Sequence, residues 1–349
     1  MSTREKDFSI KLHDLYHEKK YSEFLSLMKK YISEFGVPRN RKTLYFEYGK
    51  VLAAYFYKNA AIRIFEEIRA NGYWQANIEL SRCYSSSPNI APYNLDMAKN
   101  YLWEVIDNYS DNMTAVESAY SSLANIYLKS LDYEETIKIL NEGLKKSPNC
   151  ANLLNFLGTI YMGLKDFSKA GAYFTTILNK DPMDGATRLK LGACHMHLKN
   201  YNAALKQFQI HIKNSPFDYR GYLNLGKLYL MQDNFEEAKR ALSNALKFAK
   251  LKTDRAECLL ELGNLYYKLK DYKKSEELYL EATELSIRVK GAFLGLYKVY
   301  QKTRRELDAK RVLSYLISLE DSLAEPFLIS EHEKTLKETF KGKNSLNKK

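Results

Sequence analysis

Apolar and polar positions in the middle of the chain recur as whole blocks. The segments LGTIYMGLKDFSKAGAYF (157–174), LGACHMHLKNYNAALKQF (191–208) and LGKLYLMQDNFEEAKRAL (225–242) align without a gap, and LGNLYYKLKDYKKSEELY (262–279) joins them after three extra residues. Each block carries Leu-Gly, a ring three residues after the glycine, an aromatic six further on, and a small residue three beyond that. Apolar residues recur three and four apart within each block, which predicts a pair of amphipathic helices rather than strands. Asp132-Tyr133, Asp166-Phe167, Asn200-Tyr201, Asn234-Phe235 and Asp271-Tyr272 mark the turn inside each pair, because Asp and Asn suit turns and helix starts. Ser147-Pro148, Asp181-Pro182 and Ser215-Pro216 stand 34 residues apart and stop each second helix before the next block begins.

The spacing has a packing reason. Leu and Gly fall on one face of the first helix, and the small residue falls on the second helix where the two axes cross closest. Gly158 with Ala170, Gly192 with Ala204 and Gly226 with Ala238 permit that approach, and rings such as Tyr229 and Phe235 fill the space beside it. Carrying the register outwards divides the chain. Residues 1–41 read as an N-terminal helical pair and joint, 42–116 as two degenerate repeats, and 117–289 as five well-formed ones. Residues 290–323 read as a degenerate last repeat. In 324–349 the S-x-x-E box of Ser330 and Glu333 starts a capping helix, and a basic disordered tail follows. The stretch SSSPNIAPYNL (85–95) lengthens the loop of the 76–116 repeat.

Composition agrees with an ordered helical protein: 45% of residues are hydrophobic and 28 are tyrosine, which implies a recurring slot that wants Tyr. The first residues are charged and lack the apolar core of a signal peptide, and no apolar run is long enough for a membrane helix. Cys83, Cys150, Cys194 and Cys258 lie far apart and form no CxxC pair, so they read as reduced thiols in a cytoplasmic protein. The net charge of +12 is uneven. Residues 185–255 hold 13 basic and 5 acidic side chains, whereas 42–116 and 117–184 each hold 7 against 8, which points to an acidic partner for the basic middle.

These blocks resemble the tetratricopeptide repeat, a 34-residue helix–turn–helix unit with a W-x2-L-G-x2-Y…A…F…A…P pattern. Residues 76–116 resemble its Sel1-like variant. The resemblance implies an all-α fold: a right-handed superhelical solenoid of about eight repeats with N- and C-terminal capping helices. It also implies that the first helices line a concave groove that takes a ligand. The positions of those helices not used by the core are Asn125, Asn152, Asn155, Lys190, Arg220, Asn224, Lys227 and Asn264. A carboxamide both donates and accepts, so it can hold an extended peptide backbone, while the cations suit carboxylates. The family's chaperone-tail clamp does not carry over, because Ser121 replaces its Lys and Phe156 its second Asn.

One constellation argues for chemistry: Cys194, His195, His197 and His211 fall within eighteen positions. The register argues against a metal. His195 takes the slot of Tyr127, Tyr161, Tyr229 and Tyr266, and His211 takes the slot of Gly143, Ala245 and Ala282, so both are packing residues. His195 and His197 differ by roughly 200° around a helix and cannot chelate from one face. If His195 and His211 lay together across the helix pair, the pair would lose stability in acid. The chain shows no nucleophile elbow, P-loop, HExxH or GxGxxG motif, so no enzyme activity, cofactor or metal is expected. The expected function is a scaffold or adaptor that grips an extended, acidic segment of a protein partner and supports assembly of a complex. Apolar surface at a degenerate end repeat would serve a homo-oligomer. The alternative is an RNA-associated helical-repeat protein that uses the basic 185–255 region, although base-reading side chains do not recur from repeat to repeat.

Overall fold

A computed structural model describes residues 3–39, 41–55, 57–86 and 94–322. These residues form eighteen α-helices and no strand. The chain divides into two compact units between Leu164 and Lys165. The first holds α1 (Thr3–His17), α2 (Tyr21–Phe35), α3 (Lys42–Ala54), α4 (Lys58–Arg69), α5 (Trp74–Tyr84), α6 (Leu95–Asn108), α7 (Met113–Lys129), α8 (Tyr133–Lys146) and α9 (Ala151–Gly163). The second holds α10 (Phe167–Lys180), α11 (Gly185–His197), α12 (Tyr201–Asn214), α13 (Tyr219–Met231), α14 (Phe235–Phe248), α15 (Lys252–Lys268), α16 (Tyr272–Leu285), α17 (Lys290–Lys302) and α18 (Glu306–Ser322). The expected capping helix and tail lie outside the described residues, as does most of the 85–95 loop.

The turns explain why the chain reverses where it does. Asp132, Asp166 and Asp271 cap α8, α10 and α16, each accepting from the backbone N–H three residues on at 3.0–3.1 Å. Asn200 and Asn234 hold the same position with no side-chain cap bond. The residue before each of these caps is left-handed: Leu131, Lys165, Lys199, Asp233 and Lys270 have φ between 54° and 62°. In the α11–α12 turn, Asn200 N–H donates to His195 C=O at 2.8 Å and Lys199 N–H to Met196 C=O at 3.1 Å, the paired bonds of a Schellman ending. No glycine occupies these left-handed positions, so each carries some strain.

Within a pair, the Leu-Gly and small-residue slots meet as the spacing requires. Ser275, the small residue of its block, donates from Oγ to the carbonyl of Gly263 at 2.9 Å. The glycine's missing side chain admits the large residue four positions past the small one. A Cβ on Gly192 would come within 2.4 Å of the Phe208 ring, one on Gly226 within 2.5 Å of Leu242, and one on Gly263 within 2.5 Å of Tyr279. Phe174, Phe208, Leu242 and Tyr279 are all at most 1% exposed, and they form the spine of the core. The three extra residues before the last block lengthen α15 to 17 residues against 13 for α13.

Within each unit a first helix packs on the second helix of its own pair and also touches the next first helix. In the first unit α1, α3, α5, α7 and α9 form one row, and in the second α11, α13, α15 and α17 form another. Each unit is thus a stack of helix pairs, an all-α helical-repeat solenoid. Its first-helix row presents polar side chains that the core does not use.

Candidate functional site

The cysteine–histidine cluster of α11 and α12 packs; it does not converge. Cys194 is fully buried, and burial pushes its thiol up to about 11. His195 is half-buried, like the tyrosines Tyr161, Tyr229 and Tyr266 of its slot, and burial lowers its pKa. His197 is exposed and stacks on Phe167, with centroids 4.3 Å apart and planes 9° from parallel. His211 is 2% exposed and lies against the first residue of α11: a Cβ on Gly185 would sit 3.0 Å from its ring. This corrects the expectation that His195 and His211 lie together. The helices of a pair run antiparallel, so the end of α12 faces the start of α11, and His195 is ten residues away, about 15 Å of helix rise. The partner of His211 is Asp218, the cap of α13, with Nε2 3.1 Å from Oδ2. Burial alone would raise the Asp218 carboxyl, but bonds from the Arg220 side chain and backbone hold it below its ordinary value.

The first-helix row of the second unit holds Lys190, Arg220, Asn224, Lys227 and Asn264. Lys190, half-buried on α11, has its Nζ 5.6 Å from the centre of the Phe174 ring. Burial lowers its pKa against the pull of Asp184, so it is a partly desolvated cation. On α13, Arg220 is bound to Asp218 at 2.7 Å, and Asn224 turns its amide back to the Arg220 carbonyl at 2.9 Å. Lys227 Nζ reaches across to Glu261 Oε1 of α15 at 3.5 Å. Asn264 is held at both ends of its carboxamide: Nδ2 donates to Glu261 at 2.9 Å, and Oδ1 accepts from the Tyr279 hydroxyl at 2.7 Å. The bond to Tyr279 ties α15 to α16.

Sequence reasoning passed over Glu257 and Glu261. Allowing for the three extra residues, Lys190, Asn224 and Glu261 occupy one position of successive first helices, and Arg220 and Glu257 occupy another. The row therefore runs from basic on α11 and α13 to acidic on α15. Both glutamates stand at groove positions, of which the sequence reading took only Asn264 on α15. Part of the basic charge of 185–255 lies elsewhere: Lys206 and Lys213 on α12, and Lys239, Arg240 and Lys247 on α14, are exposed on second helices.

In the first unit Asn125 is on α7, and Asn152 and Asn155 are on α9, which packs against α7. Asn125 is exposed and bonds back to the Ser121 carbonyl at 3.0 Å, as Asn224 does to Arg220, which points its Oδ1 outward as an acceptor. Asn152 is exposed, and Asn155 is half-buried below Thr159, whose hydroxyl bonds to the Asn155 carbonyl at 2.8 Å. Apolar surface does appear at the last repeat, where Leu307, Leu313 and Ile317 of α18 are exposed. No helix among the described residues is long and apolar enough to cross a membrane.

One family model of the tetratricopeptide repeat matches residues 219–288, and a second matches 122–184 and 166–219. No curated protein matches the chain in sequence. A crystal structure of a tetratricopeptide repeat protein from Parabacteroides merdae is 16% identical over 75% of this chain and 98% of that one, with a TM-score of 0.60. Yeast Tom70 is 14% identical over 87% of this chain and 65% of its own, with a TM-score of 0.57. The APC/C hetero-tetramer Cut9–Hcn1 gives 16% identity, 90% and 60% coverage, and a TM-score of 0.52. At such identities the likeness is one of fold. Matched by two models of the repeat and built of stacked helix pairs, the chain is a tetratricopeptide repeat protein.

Proposed function

We propose that the chain is a non-enzymatic protein-binding scaffold that holds an extended segment of a partner along its first-helix row and so supports assembly of a multi-protein complex. The observation that carries this reading is the graded charge on α11, α13 and α15. A segment lying across successive first helices meets Lys190 and Arg220 first, then the acceptor of Asn224, then Glu257 and Glu261. Its acidic part faces α11 and α13, and its donors face α15. Lys190 supplies a half-buried cation at the basic end of this row. Lys227 and Arg220 already hold acidic partners, which lowers what each adds and favours a ligand with few, well-placed carboxylates over a long acidic run. Family membership supports the scaffold reading, since these repeats generally serve to bind proteins. We place the protein in the cytoplasm, in keeping with four buried, unpaired cysteines.

The test is a pull-down from native extract with the wild-type chain and with Lys190, Arg220 and Lys227 all changed to glutamate. The scaffold reading expects specific partners that the triple variant releases while its melting temperature stays within a few degrees. Partners retained by the triple variant would remove the first-helix row from consideration. The RNA reading draws on the exposed cations of α12 and α14. Filter binding to RNA across a range of salt separates the two: a steep loss of affinity with salt marks contacts to several phosphates and favours RNA.

A further inference from the structure

We propose that His13, His17 and Glu47 form a binding site for a divalent transition-metal ion, zinc being the ion that this donor set suits best. The site is independent of the first-helix row described above for the second unit. His13 and His17 are four residues apart on α1, so both rings leave the same face of the helix. α3 brings Glu47 against them. His13 Nδ1 lies 2.9 Å from Glu47 Oε1, and the two imidazole centroids are 4.2 Å apart. One donor atom from each residue lies within 4.8 Å of the others. Two imidazoles and a carboxylate are a set that zinc accepts, with bonds of about 2.0–2.2 Å and a fourth position left for water or another donor.

The second, independent observation is the state of Glu47. It is 5% exposed, and its Oε2 has no hydrogen-bond partner among the described residues. A buried carboxylate with one bare oxygen is costly unless something positive takes it. The neighbouring cations do not. Arg41 is bound to Glu5 at 2.7 Å, and Lys50 lies over the rings of Tyr16 and Phe46, with Nζ 5.6 and 5.8 Å from their centres. The movement needed to close the site falls on the cheapest groups: both histidines are exposed, and His17 is the last residue of α1. A cleft of about 390 Å³ lined by Lys6, Ser9, His13, Arg41 and Glu47 leads in from solvent. An ion there would tie α1 to α3 and so pin the N-terminal helix pair to the repeat that follows.

The probe is zinc itself, titrated by calorimetry into the tag-free full-length chain, with the metal-free melting temperature measured for every variant. We expect saturable binding of one ion, a rise in melting temperature on adding zinc, and no competition from magnesium. His17→Gln and Glu47→Gln each weaken binding by at least the roughly tenfold to hundredfold lost when even a supporting group around a metal is removed. His17→Gln, at an exposed helix end, leaves the metal-free melting temperature unchanged, so its loss of affinity reports a lost ligand. Cobalt(II) in the same site gives visible bands without thiolate charge transfer. Wild-type protein that takes up no zinc, affinity unaltered in His17→Gln, or a thiolate band tracing the ion to a cysteine would each overturn the assignment.

Discussion

Two junctions of one kind, one in each unit, fill the same space with opposite residues. Where α8 meets α9, the second helix contributes Gly143 and the next first helix contributes Leu153; a Cβ on that glycine would come within 2.8 Å of the leucine. Where α12 meets α13, the large and small partners change places. His211 is now the large one and Gly221 the small one, and a Cβ on Gly221 would lie 2.8 Å from the imidazole. Two further copies sit between these extremes, Ala245 with Cys258 and Ala282 with Ala292, all of them buried. The comparison shows that a histidine which looks like a ligand in the sequence is volume in the structure. Its polar cost is met at one nitrogen by Asp218, while Nδ1 has no hydrogen-bond partner among the described residues. Variation inside the stack is compensated pairwise, which leaves the first-helix surface free to vary with function.

The largest effect should come from the crossing that both kinds of repeat share. Gly192→Leu drives a side chain into the Phe208 ring and should lower stability by about 3 kcal/mol, seen as a fall in thermal midpoint. Next is the exchange of the two junctions. Gly221→Leu alone should cost about 2 kcal/mol through overpacking, and His211→Gly a similar amount through the cavity it leaves. Together they recreate the α8–α9 pairing, so the double variant should recover by about 1–3 kcal/mol over the sum. Simply additive losses would show that the junctions are not equivalent.

A smaller effect is expected from pH. Burial holds His195 below its reference pKa of 6.5, so the unfolded chain takes up the proton first as pH falls. The stability this neutral ring contributes is present above that value and is lost as pH drops through the folded pKa. His195→Tyr, which restores the residue common to the slot, should flatten the melting-temperature profile between pH 7 and 5; identical profiles would show that His195 does not titrate on unfolding. The smallest change is a gain. Lys199→Gly relieves a left-handed lysine at φ 59° and should raise stability by about 0.5–1 kcal/mol in the same melts.

The sequence showed clearly whatever repeats. Leu-Gly, the small residue and the proline recur at fixed spacing, so helix pairs and their crossings could be read from a single chain. The left-handed turn residues escaped, because Leu131, Lys165 and Lys270 carry none of the glycine signal that usually marks such a backbone. Asn264 was read as a groove donor, yet its amide is taken up by Glu261 and Tyr279, contacts that depend on how α15 sits on α16. The charge gradient went unread although the insertion was allowed for, because only amides and cations were taken as groove residues, which left out Glu257 and Glu261. His13, His17 and Glu47 were invisible for a different reason: burial of a carboxylate from another helix leaves no trace in a local motif.

What the chain recognises is best tested by peptide-display selection on the immobilised full-length protein, with the wild type and the Lys190, Arg220 and Lys227 to Glu variant run side by side. The wild type should enrich extended sequences with carboxylates toward one end, and the triple variant should lose that preference while melting normally. An identical consensus from both proteins, or no enrichment by the wild type, would contradict a first-helix row that binds an acidic segment.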